Sequence, residues 1–253
     1  MNDQREREDL IIGRNAVIEA LRAGREFDTL FVARGERTGS ISKIIATCRD
    51  TSIPIKEVDI KKLDFMCGHA NHQGIAASCA AHSYATVDEI FEIAQERGEK
   101  PFIIICDEIE DPHNLGAIIR TAECAGAHGI IIPKRRCASL SFAVSKTSAG
   151  AIEYMPVARV SNLASTIDDL KKRGVWIYGA DMLGTNWCQT DYTDAVALVI
   201  GSEGNGLGRL VREKCDFMVS LPLKGQIDSL NASVAAGIMM FEVTRQRAGL
   251  KSV

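Results

Sequence analysis

Ser229, Asn231 and Ser233 alternate along the segment DSLNAS, just ahead of a long apolar-patterned stretch. They gather hydroxyl and amide groups at a helix start, where free N–H groups can also hold a phosphate or a carboxylate. A helix cap alone needs only one such residue. Upstream, Gly201, Gly204, Gly206 and Gly208 punctuate a loop that also carries Glu203 and Asn205. Glycine lets backbone approach a ligand closely, so this loop suits a bound small molecule, whereas a lone glycine cluster would read as a turn before a helix. A third set is Asn114, Arg120 and Glu123. On a helix Arg120 and Glu123 share a face, and the ordinary reading is an ion pair worth a few tenths of a kcal/mol. An arginine gives up its proton with difficulty, which disfavours Arg120 as a simple base. His113, an imidazole beside Asn114, is a second candidate base and ranks behind Arg120.

Strands and helices must position these groups. Val196 to Ile200 reads as an apolar strand entering the glycine loop. Phe217 to Ser220 reads as a second strand, entering the loop with Ser229, and a long amphipathic helix opens at about Asn231. Both loops follow the carboxyl ends of strands, where open α/β sheets bind ligands. Phe102 to Cys106 is a strand of the kind buried on both faces. After it, Asn114 is a plausible cap for a helix over Leu115 to Ala125, closed by Gly126. Ile130 to Ile132, Met155 to Val160 and Val175 to Gly179 read as strands. Leu140 to Ser148, Ser161 to Arg173 and Leu207 to Lys214 read as helices. This alternation predicts a parallel sheet with crossover helices.

The first part of the chain is a smaller α/β unit over residues 10–80, behind a polar tail at residues 1–9 expected to be disordered. Asn15 is placed as the cap of a helix ending at Ala23 and Gly24. Strands are expected at Thr29 to Ala33, Pro54 to Val58 and Gly74 to Ala80, and helices at Ser40 to Cys48 and Asp59 to Met66. Residues 81–98 read as a linker containing a helix capped by Thr86 and ended by Gly98, and residues 99–253 as the second domain. His69 and His72 have no carboxylate or cysteine partner in register and read as polar loop residues.

The blocks DEIEDPHNLGAIIRTAECAGAHGIIIP (Asp107 to Pro133), IGSEGNGLGRL and LPLKGQIDSLNASVAAGI resemble, in order, the three motifs of the SpoU (TrmH-type) RNA 2′-O-methyltransferases. Within that family the chain is most similar to the type that methylates a guanosine of 23S ribosomal RNA. The resemblance implies a parallel sheet closed by a C-terminal deep trefoil knot, S-adenosylmethionine as cofactor, no metal, an RNA substrate and a homodimer whose site is completed near the subunit interface. It assigns the cofactor to Gly201, Glu203, Gly204, Gly206, Leu221, Leu230 and Ser233, and the catalytic clamp to Asn114, Arg120, Glu123, Ser229 and Asn231. In that clamp Arg120 positions the RNA and stabilises charge on the attacking oxygen. The face of Val234, Ile238 and Phe241, with Met239 and Met240, suits either the subunit interface or core packing. IIGRNAVIEAL and NHQGIAA look like the two ends of the L30e-like domain that precedes the catalytic domain in some members, which implies RNA contact by Arg14 and Gln73.

Totals narrow the classes. With 30 Lys+Arg against 33 Asp+Glu, net charge −3, the chain is no general polyanion binder. RNA contact must come from local clusters such as Arg34 with Arg37, Lys134-Arg135-Arg136, or Arg209 with Arg212. No two of the eight cysteines have zinc-site spacing, so buried reduced thiols are expected. No apolar run reaches the roughly 20 residues of a membrane span and the start is no signal peptide, which points to the cytoplasm. A dinucleotide-dependent oxidoreductase is disfavoured because the first turn lacks GxGxxG. Transfer RNA as substrate and a non-catalytic RNA-binding or ribosome assembly factor remain as alternatives.

Overall fold

The computed structural model describes residues 10–22, 25, 27–35, 39–79, 82–227 and 229–250. The expectations for residues 1–9, Ala23, Gly24, Arg37, Ala80 and Ala81 lie outside the described residues. The chain divides into two compact units, residues 1–83 with 139–142, and residues 84–138 with 143–253.

In the first unit the elements are β1 (Leu10–Ile12), α1 (Arg14–Arg22), β2 (Phe27–Ala33), α2 (Ser40–Asp50), β3 (Ile55–Val58), α3 (Ile60–Met66) and β4 (Ile75–Cys79). The sheet order is β1-β4-β2-β3, antiparallel except for the β2–β3 pair. Alternation sorts β4 between two small cores: Ile75, Ala77 and Cys79 pack with Val17, Ile41 and Ile44, whereas Ala76 packs with Leu63 and Cys67. Asn15 is not the cap of α1, because the helix has begun at Arg14, directly after Gly13 with its φ of +93°. His72 is not a solvated loop residue. It is buried, its Nε2 lies 2.9 Å from Asp64 Oδ1, and its Nδ1 accepts the Gly74 N–H. The carboxylate comes from the preceding helix, which sequence spacing did not suggest.

The second unit holds α4 (Val87–Glu96), β5 (Phe102–Cys106), α5 (Pro112–Cys124), β6 (Gly129–Pro133), α6 (Phe142–Thr147), β7 (Val157–Val160), α7 (Leu163–Lys172), β8 (Trp176–Asn186), β9 (Val196–Ile200), α8 (Arg209–Lys214), β10 (Phe217–Ser220) and α9 (Ala232–Arg247). Its six-stranded sheet is parallel throughout, in the order β10-β8-β9-β5-β6-β7. The central strands β5 and β9 are buried at every residue, as their unbroken apolar runs require. Thr86 and Glu89 form a capping box on α4, and Ile90 packs so tightly on Gly129 that a Cβ there would meet its Cγ1 at 2.4 Å. No helix of the described residues is long and apolar enough to cross a membrane. All eight cysteines are free: Cys48, Cys67, Cys79 and Cys106 are buried as expected, but Cys124 and Cys188 are exposed.

Two local expectations change. Asn114 does not cap α5; Asp111 does, its Oδ1 accepting the His113 N–H at 2.9 Å, with Pro112 in the first turn. Likewise the helix expected from Ser161 begins at Leu163, behind its cap Asn162.

His128 locks the amino-terminal ends of β5 and β6. Its N–H donates to Phe102 O, its Nδ1 accepts the Phe102 N–H, and its Nε2 lies 3.0 Å from Glu99 Oε2. Burial lowers the imidazole pKa, aided by Arg97 and Arg247 and opposed by Glu99. The folded state therefore keeps this ring neutral at a pH where the unfolded chain, with an ordinary histidine value of about 6.5, binds a proton. Stability from this group is complete above that value and is lost as pH falls below it. The urea midpoint is expected to drop between about pH 7.5 and 5.5, and to drop less in His128→Asn.

Candidate active site

The strand order reverses between β5 and β9. From β5 the chain builds β6 and β7 on one side, then returns to build β8, β9 and β10 on the other. Open parallel sheets bind ligands where such a reversal separates the loops leaving the strands' carboxyl ends. Two clefts open at this point. The smaller, about 290 Å³, lies between the loop after β5 (Glu108, Glu110, Asp111) with Asn114 and the loop after β9. The larger, about 450 Å³, lies between the loop after β9, residues Ala180 to Leu183 of β8, and Leu221, Ser229 and Leu230 beyond β10. Ser202, Glu203, Gly204, Asn205 and Ala232 line both clefts, so the glycine loop is their common wall.

That wall is a closed loop. Ser202 N–H donates to Gly206 O at 3.1 Å and Gly206 N–H donates back to Ser202 O at 2.9 Å. Gly206 has φ +62°, and a Cβ on Gly201 would lie 2.3 Å from the Gly206 carbonyl, so both positions need glycine. Below it, Asp107 ties the loop to β5: its N–H donates to Ile200 O and its Oδ2 accepts the Gly208 N–H at 2.7 Å. Burial pushes the Asp107 carboxyl above the usual carboxylate range, and the Gly208 bond opposes that shift. Ser202 Oγ is buried without a hydrogen-bond partner among the described residues, and Gly204 faces open space.

Asn114, Glu203 and Asn231 meet at the shared wall. Asn231 Oδ1 caps α9, accepting Ser233 N–H at 3.0 Å, Val234 N–H at 3.2 Å and the Ser233 hydroxyl at 2.6 Å. Its Nδ2 donates to Asn114 Oδ1 at 2.9 Å and to Glu203 Oε1, which also accepts from Asn114 Nδ2 at 3.0 Å. One residue thus caps α9 and joins it to the first turn of α5 and to the glycine loop. Asn231→Asp keeps an equally good cap beside the helix's positive end. It also sets a second carboxylate against Glu203. Expected is an unchanged helix content with activity at least about ten-fold lower, measured by circular dichroism and transfer assay on one preparation, since like charges in hydrogen-bond contact cost more than 1.4 kcal/mol.

The wall supplied by β8 was missed in the sequence, which suggested a strand ending at Gly179. The strand runs on to Asn186. Tyr178 and Gly179 pair with Phe217 and Met218, then Thr185 and Asn186 pair with Val219 and Ser220, so the residues between arch out of the ladder. Gly184 ends the arch, where a Cβ would meet the Met218 carbonyl carbon at 2.4 Å. Asp181, on the arch, accepts from the Leu183 N–H and pairs with Arg212 of α8. Both line the larger cleft. Two glycines bracketing ADML were the available signal.

Of the remaining expected site residues, Gly201, Leu221, Ser229 and Leu230 line the larger cleft, and Ser233 touches Asn231. Arg120 and Glu123 line neither cleft. Both are exposed on α5, and no ion pair joins them. His113 is exposed as well, its Nδ1 3.4 Å from Thr147 Oγ1. In the first unit Arg14 and Gln73 meet: Arg14 N–H donates to Gln73 Oε1 and Arg14 Nε to Gln73 O. Of the basic clusters, Arg136 pairs with Glu108 and Arg209 with Glu213. Among the described residues no cluster of His, Cys, Asp and Glu could hold a metal.

A shared-wall pair of clefts at a strand-order reversal is compatible with many chemistries, and comparison with known proteins narrows them. Residues 101–241 match the SpoU rRNA methylase family, and residues 10–85 match the RNA 2′-O ribose methyltransferase substrate-binding domain. YacO of Bacillus subtilis, which carries a TrmH-family tRNA/rRNA methyltransferase name, is 50% identical over 94% of this chain and 96% of its own length. Among solved structures, the SpoU methyltransferase AviRb of Streptomyces viridochromogenes, in complex with AdoMet, is 25% identical with a TM-score of 0.60 and coverage of 98% of this chain and 95% of that one. The AdoMet-bound rRNA methyltransferase of Sinorhizobium meliloti is 26% identical, TM-score 0.58, covering 100% and 92%. The family matches span both the glycine loop and the Asn114 helix, and the relatives are matched along nearly their whole length; the chain belongs to the SpoU/TrmH family of RNA methyltransferases.

Proposed function

We propose that this chain transfers the methyl group of S-adenosylmethionine to a ribose 2′-oxygen in RNA, with a guanosine of 23S ribosomal RNA as the preferred acceptor and transfer RNA as the alternative. The observation that carries the proposal is the pair of clefts sharing one glycine wall, since a group transfer needs a donor pocket and an acceptor pocket in contact. The larger cleft fits the donor. Gly201, Leu221 and Leu230 offer backbone and apolar contacts, Ser202 Oγ has no partner among the described residues, and the cationic Arg212 is neutralised by Asp181. S-Adenosylmethionine, when bound, supplies an electrophilic methyl on a sulfonium. Glu203 gives the cleft a carboxylate toward that cation, while Asn114, Asn231 and Ser229 present amides and a hydroxyl that can align a ribose.

Arg120 completes the clamp in this proposal by holding the neighbouring phosphate and stabilising the 2′-oxygen as it loses its proton. Because Arg120 lines neither cleft of its own subunit, it acts on the site of a second copy. Val234, Ile238 and Phe241 support that reading: they form an exposed stripe on α9, 50%, 38% and 50% accessible, whereas Met239 and Met240 are buried. The stripe lies beside α5, which touches α9 through Gly237 and Thr121 and through the Thr244 hydroxyl donating to Ala125 O. Residues 10–80 hold the RNA through an L30e-like fold with Arg14 and Gln73 at its contact edge. The trefoil knot of the C-terminal domain belongs to the same proposal, supported by the matches to SpoU structures.

The test is transfer of label from radioactive S-adenosylmethionine to unmodified large-subunit ribosomal RNA and, separately, bulk transfer RNA, followed by mapping of the alkali-resistant linkage that 2′-O-methylation leaves. Label in one RNA selects the substrate. Label on a base overturns the reading, as does failure to bind the cofactor. Mixing Arg120→Ala with Asn231→Asp subunits tests the second copy's role: activity returns in the mixture if the arginine acts across subunits, and stays absent if it does not.

A further inference from the structure

The second unit carries a third cleft, of about 430 Å³, that shares no residue with the two at the glycine loop. Its walls are aromatic. Trp176 begins β8 and Phe217 begins β10, the short strand at the sheet's edge, and they are 46% and 45% accessible. Their ring centroids are 5.7 Å apart at 50°, and Tyr178 stacks beneath Phe217 at 5.0 Å and 22°. Large aromatic rings left half-exposed at a concave site mark a binding surface more often than isolated surface apolar residues do.

The rings are held in place. Tyr178 Oη donates to Asp191 O at 2.8 Å, and Tyr178 packs against the fully buried Tyr192, whose N–H donates to Gln246 Oε1. Gln246 also donates to Thr190 O, and Arg247 to Asp194 O, so α9 fixes the segment that forms the cleft's other wall. That wall is acidic: among the described residues, Asp191 and Asp194 are the only charged ones lining the cleft. Bonds from the Thr193 hydroxyl and N–H hold the Asp191 carboxyl below the usual carboxylate range. Asp194 is shared with Lys100 at 3.3 Å, whereas Asp191 makes no ion pair with a described residue.

Half-exposed rings beside a rigid, ionised carboxylate select a flat cation. A guanidinium stacks on an aromatic face while its edge donates two hydrogen bonds to a carboxylate; an ammonium can do only part of this. A nucleic acid fits poorly, because base stacking platforms are paired with cations for the phosphates and this cleft lines up two carboxylates instead. We propose that the Trp176–Phe217 cleft is a docking site for an arginine side chain of a basic polypeptide partner, separate from the methyl-transfer site.

The chain has two tryptophans, so in a Trp187→Phe background the emission reports Trp176 alone. The full-length protein is titrated with the peptide Gly-Arg-Gly-Arg-Gly and with its lysine and glutamate counterparts. Expected is a saturable change with the arginine peptide, at least ten-fold weaker binding of the lysine peptide and none of the glutamate peptide. Asp191→Asn and, read by calorimetry, Trp176→Leu each weaken arginine-peptide binding at least ten-fold. Retained methyl transfer shows that these variants are folded. No saturable response overturns the proposal, as does equal affinity for the lysine peptide or an affinity unchanged in Asp191→Asn. A single-stranded oligonucleotide that competes at Trp176 and binds tighter to Asp191→Asn would make the cleft an RNA site, and a concentration-dependent change without peptide would make it a contact between copies; either overturns the proposal.

Discussion

Arg120→Lys is expected to leave the unfolding midpoint unchanged and to lower turnover by about 10²–10³, the loss typical of one removed oxyanion donor. The two halves of this expectation have separate grounds. Arg120 is exposed on α5 and makes no hydrogen bond or ion pair with a described residue, so its replacement removes no intramolecular contact. Exposed substitutions of that kind stay within about 0.5 kcal/mol. Lysine keeps the charge but loses the planar fork with which, in the proposed clamp, Arg120 engages a phosphate and a developing oxyanion together. Thermal unfolding and single-turnover transfer, measured on the same preparation, check both. Near-normal turnover would remove Arg120 from the chemistry, and a lowered midpoint would show a structural role that the described contacts do not contain.

Gly201→Ala is expected to weaken S-adenosylmethionine binding by at least about ten-fold, or 1.4 kcal/mol, and to cost about 1–3 kcal/mol of stability, as overpacking typically does. The added carbon would sit 2.3 Å from the backbone of Gly206 and 2.6 Å from Leu207 N. Neither neighbour is the flexible end of a side chain, so the reciprocal Ser202–Gly206 bonds must open. Both clefts then lose their common wall. Gly204→Ala is the control: it has open space around it and no positive φ, and should fold as the parent does. Calorimetric titration with the cofactor and urea unfolding of the two variants decide the matter, and equal binding by both would show that the loop's closure is irrelevant to the donor.

Much of this site was legible because its parts are local. The apolar runs Phe102–Cys106 and Val196–Ile200 announce buried parallel strands, and the loops that follow strand ends in such sheets are ligand loops wherever they occur. Asn231 was recognisable at the opening of α9 for the same reason. What the sequence hid is pairing at a distance. The Asn114–Glu203 and Asn114–Asn231 bonds join residues 89 and 117 apart. The extension of β8 is written in no pattern of its own, since ADMLG is neither alternating nor uniformly apolar; β10 imposes it from outside. The Asp111 cap was obscured by a competitor: Asn114 is equally able to cap, and only Pro112 in the first turn discriminates. The Arg120–Glu123 pair, allowed by helical spacing, does not form, as an exposed pair gains little against the entropy of holding two long side chains.

The arch between Gly179 and Gly184 carries a further consequence. Both of its feet are pinned by β10, while the residues between them form one side of the larger cleft. Its length and its side chains are therefore decoupled from the register of the sheet, in contrast to the glycine loop, which cannot change without opening. Shortening Met182 or Leu183, both largely exposed, enlarges the larger cleft and leaves the smaller one, which neither residue lines, untouched. With the larger cleft as the proposed donor site, the arch is an adjustable wall for orthogonal labelling: a sulfonium cofactor bearing a bulkier transferable group is expected to be admitted by the shortened variant and refused by the parent.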